Sequence, residues 1–267
     1  MFGVYPDLDH PLTLNEKIQW RKLYDRDPQY TECSDKRAVR QYVADRTAPE
    51  YLIPLLGVAR TPADLDFDSL PSRFVIKANH GSGWNLIVTD KARFNRRRAI
   101  AIMNTWVRSN FYWRHREWQY KDIEPVLLIE ALLSDEAQCP PTEYRFFCFD
   151  GVAEFVEVVA GRFAPPLTVD YYDKQWRHLP VVHDIHKNAG DATPPANLRE
   201  MTAVAEALAR QMSFVRVDLY LSDGRIYFGE MTFTPCAGLL KFHPSEYGRV
   251  FGDYWTIGPG KDSEPYR

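Results

Sequence analysis

The stretch from Phe74 to Val88, FVIKANHGSGWNLIV, constrains this chain more than any other. A short apolar run ends in Lys77 and Asn79. A tight turn, His80-Gly81-Ser82-Gly83-Trp84, follows, and a second apolar run covers Leu86 to Val88. That pattern predicts a β-hairpin with a glycine-rich loop. Backbone N–H groups can approach a ligand closely only where no Cβ intervenes. A lysine at the mouth of such a loop adds fixed positive charge for a phosphate. The hairpin is therefore expected to cover the phosphates of ATP, with a plain surface hairpin and a solvated lysine as the alternative.

The length of 267 residues fits one large domain or two lobes sharing a cleft. A net charge of −3 gives no reason to expect nucleic acid or an anionic membrane surface as a partner. Cys33, Cys139, Cys148 and Cys236 form no C-x-x-C pair, so neither a zinc site nor a disulfide framework is expected. Scattered thiols fit a reducing, cytoplasmic setting. The first residues, MFGVYPDLDHPLT, lack the basic and apolar regions of a signal peptide. No apolar run approaches the roughly 20 residues of a membrane helix.

Residues 13–47 read as helical, with Leu14, Ile18 and Trp20 near helical spacing. A second helix is expected to open at Ser34, with Lys36 in its first turn and Val39, Tyr42 and Val43 on one face. Asp64, Asp66 and Asp68 form overlapping D-x-D spacings, read as a polar loop in preference to a glycosyltransferase metal motif. A helix is expected over 94–108, with Ile100, Met103 and Val107 inward. The aromatic and basic segment 111–121 suits either a packed bridge or a sugar contact. A buried strand over 126–133 runs into a linker. Asp150-Gly151 marks a hairpin, and 198–212 an amphipathic helix.

The densest chemistry lies between Phe214 and Thr232. Alternation along Phe214–Leu221 puts Val215, Val217 and Leu219 on one face and Arg216 and Asp218 on the other. If Leu221 pairs with Arg225 across Ser222-Asp223-Gly224, Arg216 faces Glu230, Asp218 faces Phe228, and Ile226 and Phe228 share their side. An arginine and two carboxylates on a half-apolar face suggest a magnesium–phosphate site; a solvated ion-pair ladder is the alternative.

These pieces together resemble the ATP-grasp superfamily, and more narrowly its TupA-like branch, named for a protein of teichuronopeptide synthesis. The matching stretches are LNEKIQWRKLYDRDPQY, SDKRAVRQYV, FVIKANHGSGWNLIV, REWQYK, IEALL, EYRFFCFDG, FVRVDLYL and IYFGEMTFTP, in that order. The resemblance implies an α+β ATP-grasp fold, in which two α+β lobes hold ATP between antiparallel sheets: a short helical N-terminal segment over 1–64, a first lobe with the glycine-rich lid over 65–125, and a second lobe with a metal site over 126–267. Carried over, Lys36 and Lys77 would contact phosphates, and Ser82, Gly83 and nearby amides would cover them. Glu130, Ala131 and Leu132 would receive adenine through the backbone, and Asp135 or Glu136 the ribose. Arg145 or Arg216 would steady the transferred phosphoryl group. Asp218 and Glu230 would hold Mg2+. Many relatives carry asparagine two residues after the metal glutamate, where this chain has Thr232.

The resemblance further implies an ADP-forming carboxylate–amine ligase working through an acylphosphate. Its partners would be ATP, a carboxylate acceptor, which a surface polysaccharide or its precursor could carry, and an amine donor. A kinase acting on a glycan hydroxyl, a glycosyltransferase using Asp64, Asp66 and Asp68, and a non-catalytic nucleotide-binding module are the rivals. No Walker A, G-x-G-x-x-G or G-x-S-x-G motif is present.

Overall fold

The structure is a computed structural model describing residues 5–133, 141–161, 166–184, 188–190 and 192–257. The chain opens with three helices, α1 (Leu14–Tyr24), α2 (Pro28–Ser34) and α3 (Val39–Arg46). Thr13 and Glu16 form a reciprocal capping box that starts α1. Asp27 caps α2, where Pro28 takes the first-turn position that needs no donor. That proline start is why Ser34 closes a helix here and does not open one. Residues contact one another in two compact units, 27–133 and 1–26 with 134–267.

In the unit 27–133, β1 (Leu55–Ala59), β2 (Phe74–Ala78), β3 (Asn85–Val88) and β4 (Leu127–Ala131) form an antiparallel sheet in the order β1-β4-β2-β3. The helix α4 (Arg96–Val107) buries Ala99, Met103 and Trp106 against Phe74, Ile76, Val88, Leu127 and Ile129. The expected Ile100 and Val107 lie half-buried beside this core. Asn95 caps α4 at the amide of Arg98. The short α5 (Tyr112–His115) follows.

In the other unit, β5 (Thr142–Phe149), β6 (Val152–Ala160), β7 (Thr168–Asp173), β8 (His178–Leu179), β10 (Phe214–Ser222) and β11 (Arg225–Thr232) form one sheet in the order β11-β10-β5-β6-β7-β8. A two-stranded ribbon pairs β9 (Val182–His183) with β12 (Phe242–His243). One sheet face is covered by α6 (Leu198–Ala209), whose Met201, Val204, Ala205 and Leu208 recur at helical spacing. On the other face, Phe147, Phe149, Phe155 and Phe214 pack with Leu14, Ile18 of α1, Phe251 of α7 (Tyr247–Asp253) and Trp255. Polar staples fix α1 there. Lys17 donates to the carbonyls of Gly252 at 2.8 Å and Trp255 at 2.5 Å, and the buried Arg21 donates to that of Phe214 at 2.7 Å.

The β5–β6 and β10–β11 hairpins each turn through an Asp-Gly pair with positive φ, 46° and 81° at Asp150 and Gly151, 49° and 72° at Asp223 and Gly224. These are the geometries of two-residue turns that match strand twist. Ser222 therefore pairs with Arg225, one step off the register expected from the sequence. A bulge between Asp218 and Leu219 then admits one extra residue, Gly229, on β11. Asp218 consequently faces Glu230, and Arg216 faces Thr232. Ile226 and Phe228 pair with Leu221 and Leu219, on the opposite face from the one expected.

Glycine is required at the bulge. A Cβ on Gly229 would stand 2.9 Å from Tyr220 Cε2 and 3.0 Å from the Asp218 carbonyl oxygen, which is backbone and cannot swing away. Gly229→Ala is expected to cost about 1–3 kcal/mol in urea denaturation, and a variant as stable as wild type would show that the bulge relaxes freely.

Candidate functional site

In the unit 27–133 the glycine loop is held rigidly at its base and left open at its tip. Asn79, fully buried, donates to Asp35 Oδ1 at 2.9 Å and to the Glu124 carbonyl at 3.0 Å, and accepts the Val126 amide at 2.8 Å. The buried His80 ring lies 3.1 Å from Asn79 Oδ1 on one side, and 3.1 and 3.2 Å from the carbonyls of Trp106 and Ser109 on the other. Gly81 packs so tightly that a Cβ would fall 2.8 Å from Trp84 and 2.9 Å from Phe111. Ser82 and Gly83 are exposed, and Gly83 takes φ 71°. Segment 111–121 is thus a brace in part: Phe111 stacks edge-on between Trp84 and Tyr120, while Trp113 is exposed.

Lys36 sits in the turn between α2 and α3, not in the first turn of a helix. Its backbone amide donates to the Asn79 carbonyl at 3.2 Å and its ammonium to the Gly81 carbonyl at 2.8 Å. Its charge lies against the loop itself. Lys77, on β2, faces Glu130 of β4 at 2.7 Å, and Glu130 accepts from Arg40 of α3 at 3.0 Å. Glu130 is buried and Lys77 one-fifth exposed. Ala131 is still in the strand, its amide donating to the Pro54 carbonyl, and Leu132 follows the strand end. Asp135 and Glu136 lie outside the described residues.

In the unit 1–26 with 134–267, the phenylalanine-lined sheet face gives way to a layer of charge. Arg216 donates to both oxygens of Asp218, at 2.7 and 2.6 Å. Arg145, opposite Asp218 on β5, donates to Glu143 at 2.8 Å and Glu157 at 3.3 Å, and its Nε lies 3.8 Å from Asp218 Oδ2. That Nε is buried and makes no hydrogen bond. Thr232 accepts from Arg216 at 3.1 Å and donates to Glu230 at 3.0 Å. Its hydroxyl proton is therefore directed at Glu230, and the residue orients that carboxylate. Glu157 also lies 3.7 Å from His183, which hydrogen-bonds Tyr171 at 2.7 Å.

Four carboxylates, Glu143, Glu157, Asp218 and Glu230, thus share two guanidinium groups. Burial pushes the Asp218 carboxyl up to about 7, against the pull of Arg216 and Arg145. Burial also acts to raise Glu157, yet Arg145, Arg216 and His183 hold it below its ordinary range. A divalent cation at Asp218 and Glu230 would favour the ionised carboxylate that burial opposes, so this donor set fits magnesium. Among the described residues no group of three or more His, Cys, Asp and Glu is arranged to hold a metal alone. Magnesium suits that, since it takes one or two carboxylates and completes its shell with water and phosphate oxygens.

The D-x-D residues are engaged locally. Asp64 accepts from Thr61, Asp66 Oδ1 from the Asp68 amide, and Asp68 pairs with Arg96. Sequence reasoning missed Arg40, Glu143 and Glu157. The alternation E-x-R over 143–145 carried a signal for the second, but the partner of Arg145 depends on a bulge between Phe147 and Cys148 that no spacing announces.

A family model described as TupA-like ATPgrasp matches residues 16–256. No curated protein matches the sequence. Among solved structures, the chain is similar to the D-alanine–D-alanine ligase of Bacillus anthracis complexed with ATP, at 17% identity and TM-score 0.42, covering 76% of this chain and 54% of that one. For the D-alanine–D-alanine ligase of Helicobacter pylori the values are 14%, 0.46, 84% and 62%. For the ATP-grasp ligase PsnB complexed with a minimal precursor they are 11%, 0.41, 77% and 54%. The chain thus spans little more than half the length of two of these proteins. Likenesses this remote carry no argument, and the family match decides membership.

Burial holds the His80 imidazole below its ordinary range, against the pull of the Trp106 and Ser109 carbonyls. As pH falls through the ordinary imidazole range the unfolded chain takes up a proton more readily than the folded ring, so stability falls as pH is lowered there. His80→Gln is expected to flatten this acid limb between pH 6.5 and 5, by up to about 1.4 kcal/mol per pH unit, in urea titrations at stepped pH. An unchanged slope would show that His80 does not titrate.

Proposed function

The chain belongs to the TupA-like ATP-grasp family, and from that premise we propose that it is an ATP-dependent ligase joining a carboxylate to an amine with release of ADP and phosphate. The observation that carries this reading is the layer in which Arg216 grips the buried Asp218 opposite Glu230. Such a cluster suits a magnesium–phosphate ligand and is weak evidence of stabilisation by itself.

In this reading Lys36 and Lys77 bind phosphate oxygens, and the open tip at Ser82 and Gly83 presents amides to them. Glu130 to Leu132 lie against adenine, and Glu136 takes the ribose. Asp218 and Glu230 hold magnesium, which when bound neutralises phosphate charge and aligns the transferring group. Arg216, with Arg145 behind it, steadies the phosphoryl oxygens as negative charge builds on them. The acceptor carboxylate oxygen attacks the γ-phosphorus, a bond to phosphorus forms, and the bond to ADP breaks. The amine then attacks the acyl carbon, loses a proton and expels inorganic phosphate. Exclusion of water by the loop protects the acylphosphate.

We further propose that the carboxylate is a sugar acid or amino acid on a surface glycan precursor, processed in the cytoplasm where ATP is supplied. The support is the branch's namesake in teichuronopeptide synthesis. Among the described residues no helix is long and apolar enough to cross a membrane.

Lys77→Ala and Glu230→Ala are each expected to lower acceptor-dependent ADP release about a hundredfold or more, with melting temperature little changed because Glu230 is partly exposed and Arg40 still pairs Glu130. Undiminished turnover in either variant removes that residue from the site. Hydroxylamine trapping tests the reaction class: a hydroxamate marks the ligase, whereas a stable phosphorylated hydroxyl product marks a kinase.

A further inference from the structure

Glu130 divides its carboxylate between two cations. One oxygen accepts from Arg40 at 3.0 Å, and the other lies 2.7 Å from the Lys77 ammonium. The second contact is electrostatic, without an aligned hydrogen bond at Glu130 Oε2. Arg40 is itself anchored, its second nitrogen donating to the Ile53 carbonyl at 2.9 Å. The three residues come from three elements, α3, β2 and β4. In register Glu130 stands opposite Val75, with Lys77 opposite Leu128, so Glu130 reaches Lys77 diagonally along one sheet face.

The charge count is what matters. Lys77 with Glu130 alone would be a neutral pair, with the ammonium drawn to the carboxylate. With Arg40 present the trio carries one net positive charge, and each carboxylate oxygen already has a cation beside it. The guanidinium also brings donors in a fixed fork, which a mobile ammonium does not. All three side chains are at most one-fifth exposed, so their charges are weakly screened.

We propose that Arg40 is a positioning residue for nucleotide phosphate: by sharing Glu130 it leaves Lys77 with a net positive environment and a fixed place from which to bind an anion. This inference rests on the ATP reading above. It predicts an effect that depends on phosphate charge, whereas a staple between α3 and β4 would act on stability and on all ligands alike.

The test compares ATP, ADP and adenosine binding, by competition with a fluorescent nucleotide, in wild type, Arg40→Met and Arg40→Gln. Arg40→Gln keeps a donor for the Ile53 carbonyl and serves if Arg40→Met does not fold. Loss of the guanidinium is expected to weaken ATP and ADP about tenfold and to leave adenosine within about twofold, with Arg40→Lys, which keeps the charge and loses the fork, recovering only part of the loss. In a Glu130→Gln background, removing Arg40 is expected to change ATP binding by less than about twofold, because its route is gone. Equal weakening of ATP and adenosine overturns the proposal in favour of a structural staple. Unchanged ATP affinity in the neutral variants overturns it alone. A wild type that binds no ATP overturns the functional reading with it.

Discussion

The placement of charge on a buried sheet face governs this protein's larger unit. Along β10, Phe214, Arg216 and Asp218 point to the same side, and along β5 so do Phe149, Phe147 and Arg145. The aromatic half of that face is sealed by Leu14, Ile18, Phe251 and Trp255. The charged half must be satisfied internally, since an isolated ion removed from water costs several kcal/mol. Arg216 meets Asp218 through two nitrogens, and Arg145 is shared among three acids. Replacing such a layer with apolar side chains would commonly stabilise a fold or leave it unchanged. Its presence points to chemistry.

Two bulges make the layer possible. A simple hairpin keeps a fixed pairing sum, and one slip moves every side chain to the other face. In β5–β6 the extra residue lets Arg145 meet Glu157, and in β10–β11 Gly229 lets Glu230 meet Asp218. Without the bulge the register set by Ser222 and Arg225 would put Gly229 opposite Asp218. The bulge thus re-aims an acidic side chain beside the candidate site, a recurring use of the motif.

What could be read from residues alone follows from this. The Asp-Gly turns, the α6 stripe and the glycine loop are local signals, and the helices, hairpins and loop appear where those signals stand. Alternation and chain order single out Lys77, Arg216, Asp218 and Glu230 as candidates, but not their partners. Whether Asp218 faces Phe228 or Glu230 turns on one inserted residue, and Arg40 meets Glu130 across 90 positions of sequence. Ser34 misled for a different reason. It has the chemistry of a cap, but Pro28 had already started a helix that absorbs it.

The two units carry charge of opposite sign in excess. Around Glu130, Arg40 and Lys77 leave a net positive trio, with Lys36 held at the loop nearby by Gly81. Around Asp218, four carboxylates are packed with two guanidinium groups, and burial raises the Asp218 carboxyl. Neither imbalance helps a chain fold, because residual like charge in a partly buried layer is repulsive. Under the proposed function, phosphate oxygens would suit the cations around Lys77, and a magnesium ion the carboxylates around Asp218. Thr232 fits the same logic. By turning its hydroxyl toward Glu230 while receiving Arg216, it orients the carboxylate, so the metal's hold would come from the charge surplus and not from a third protein ligand.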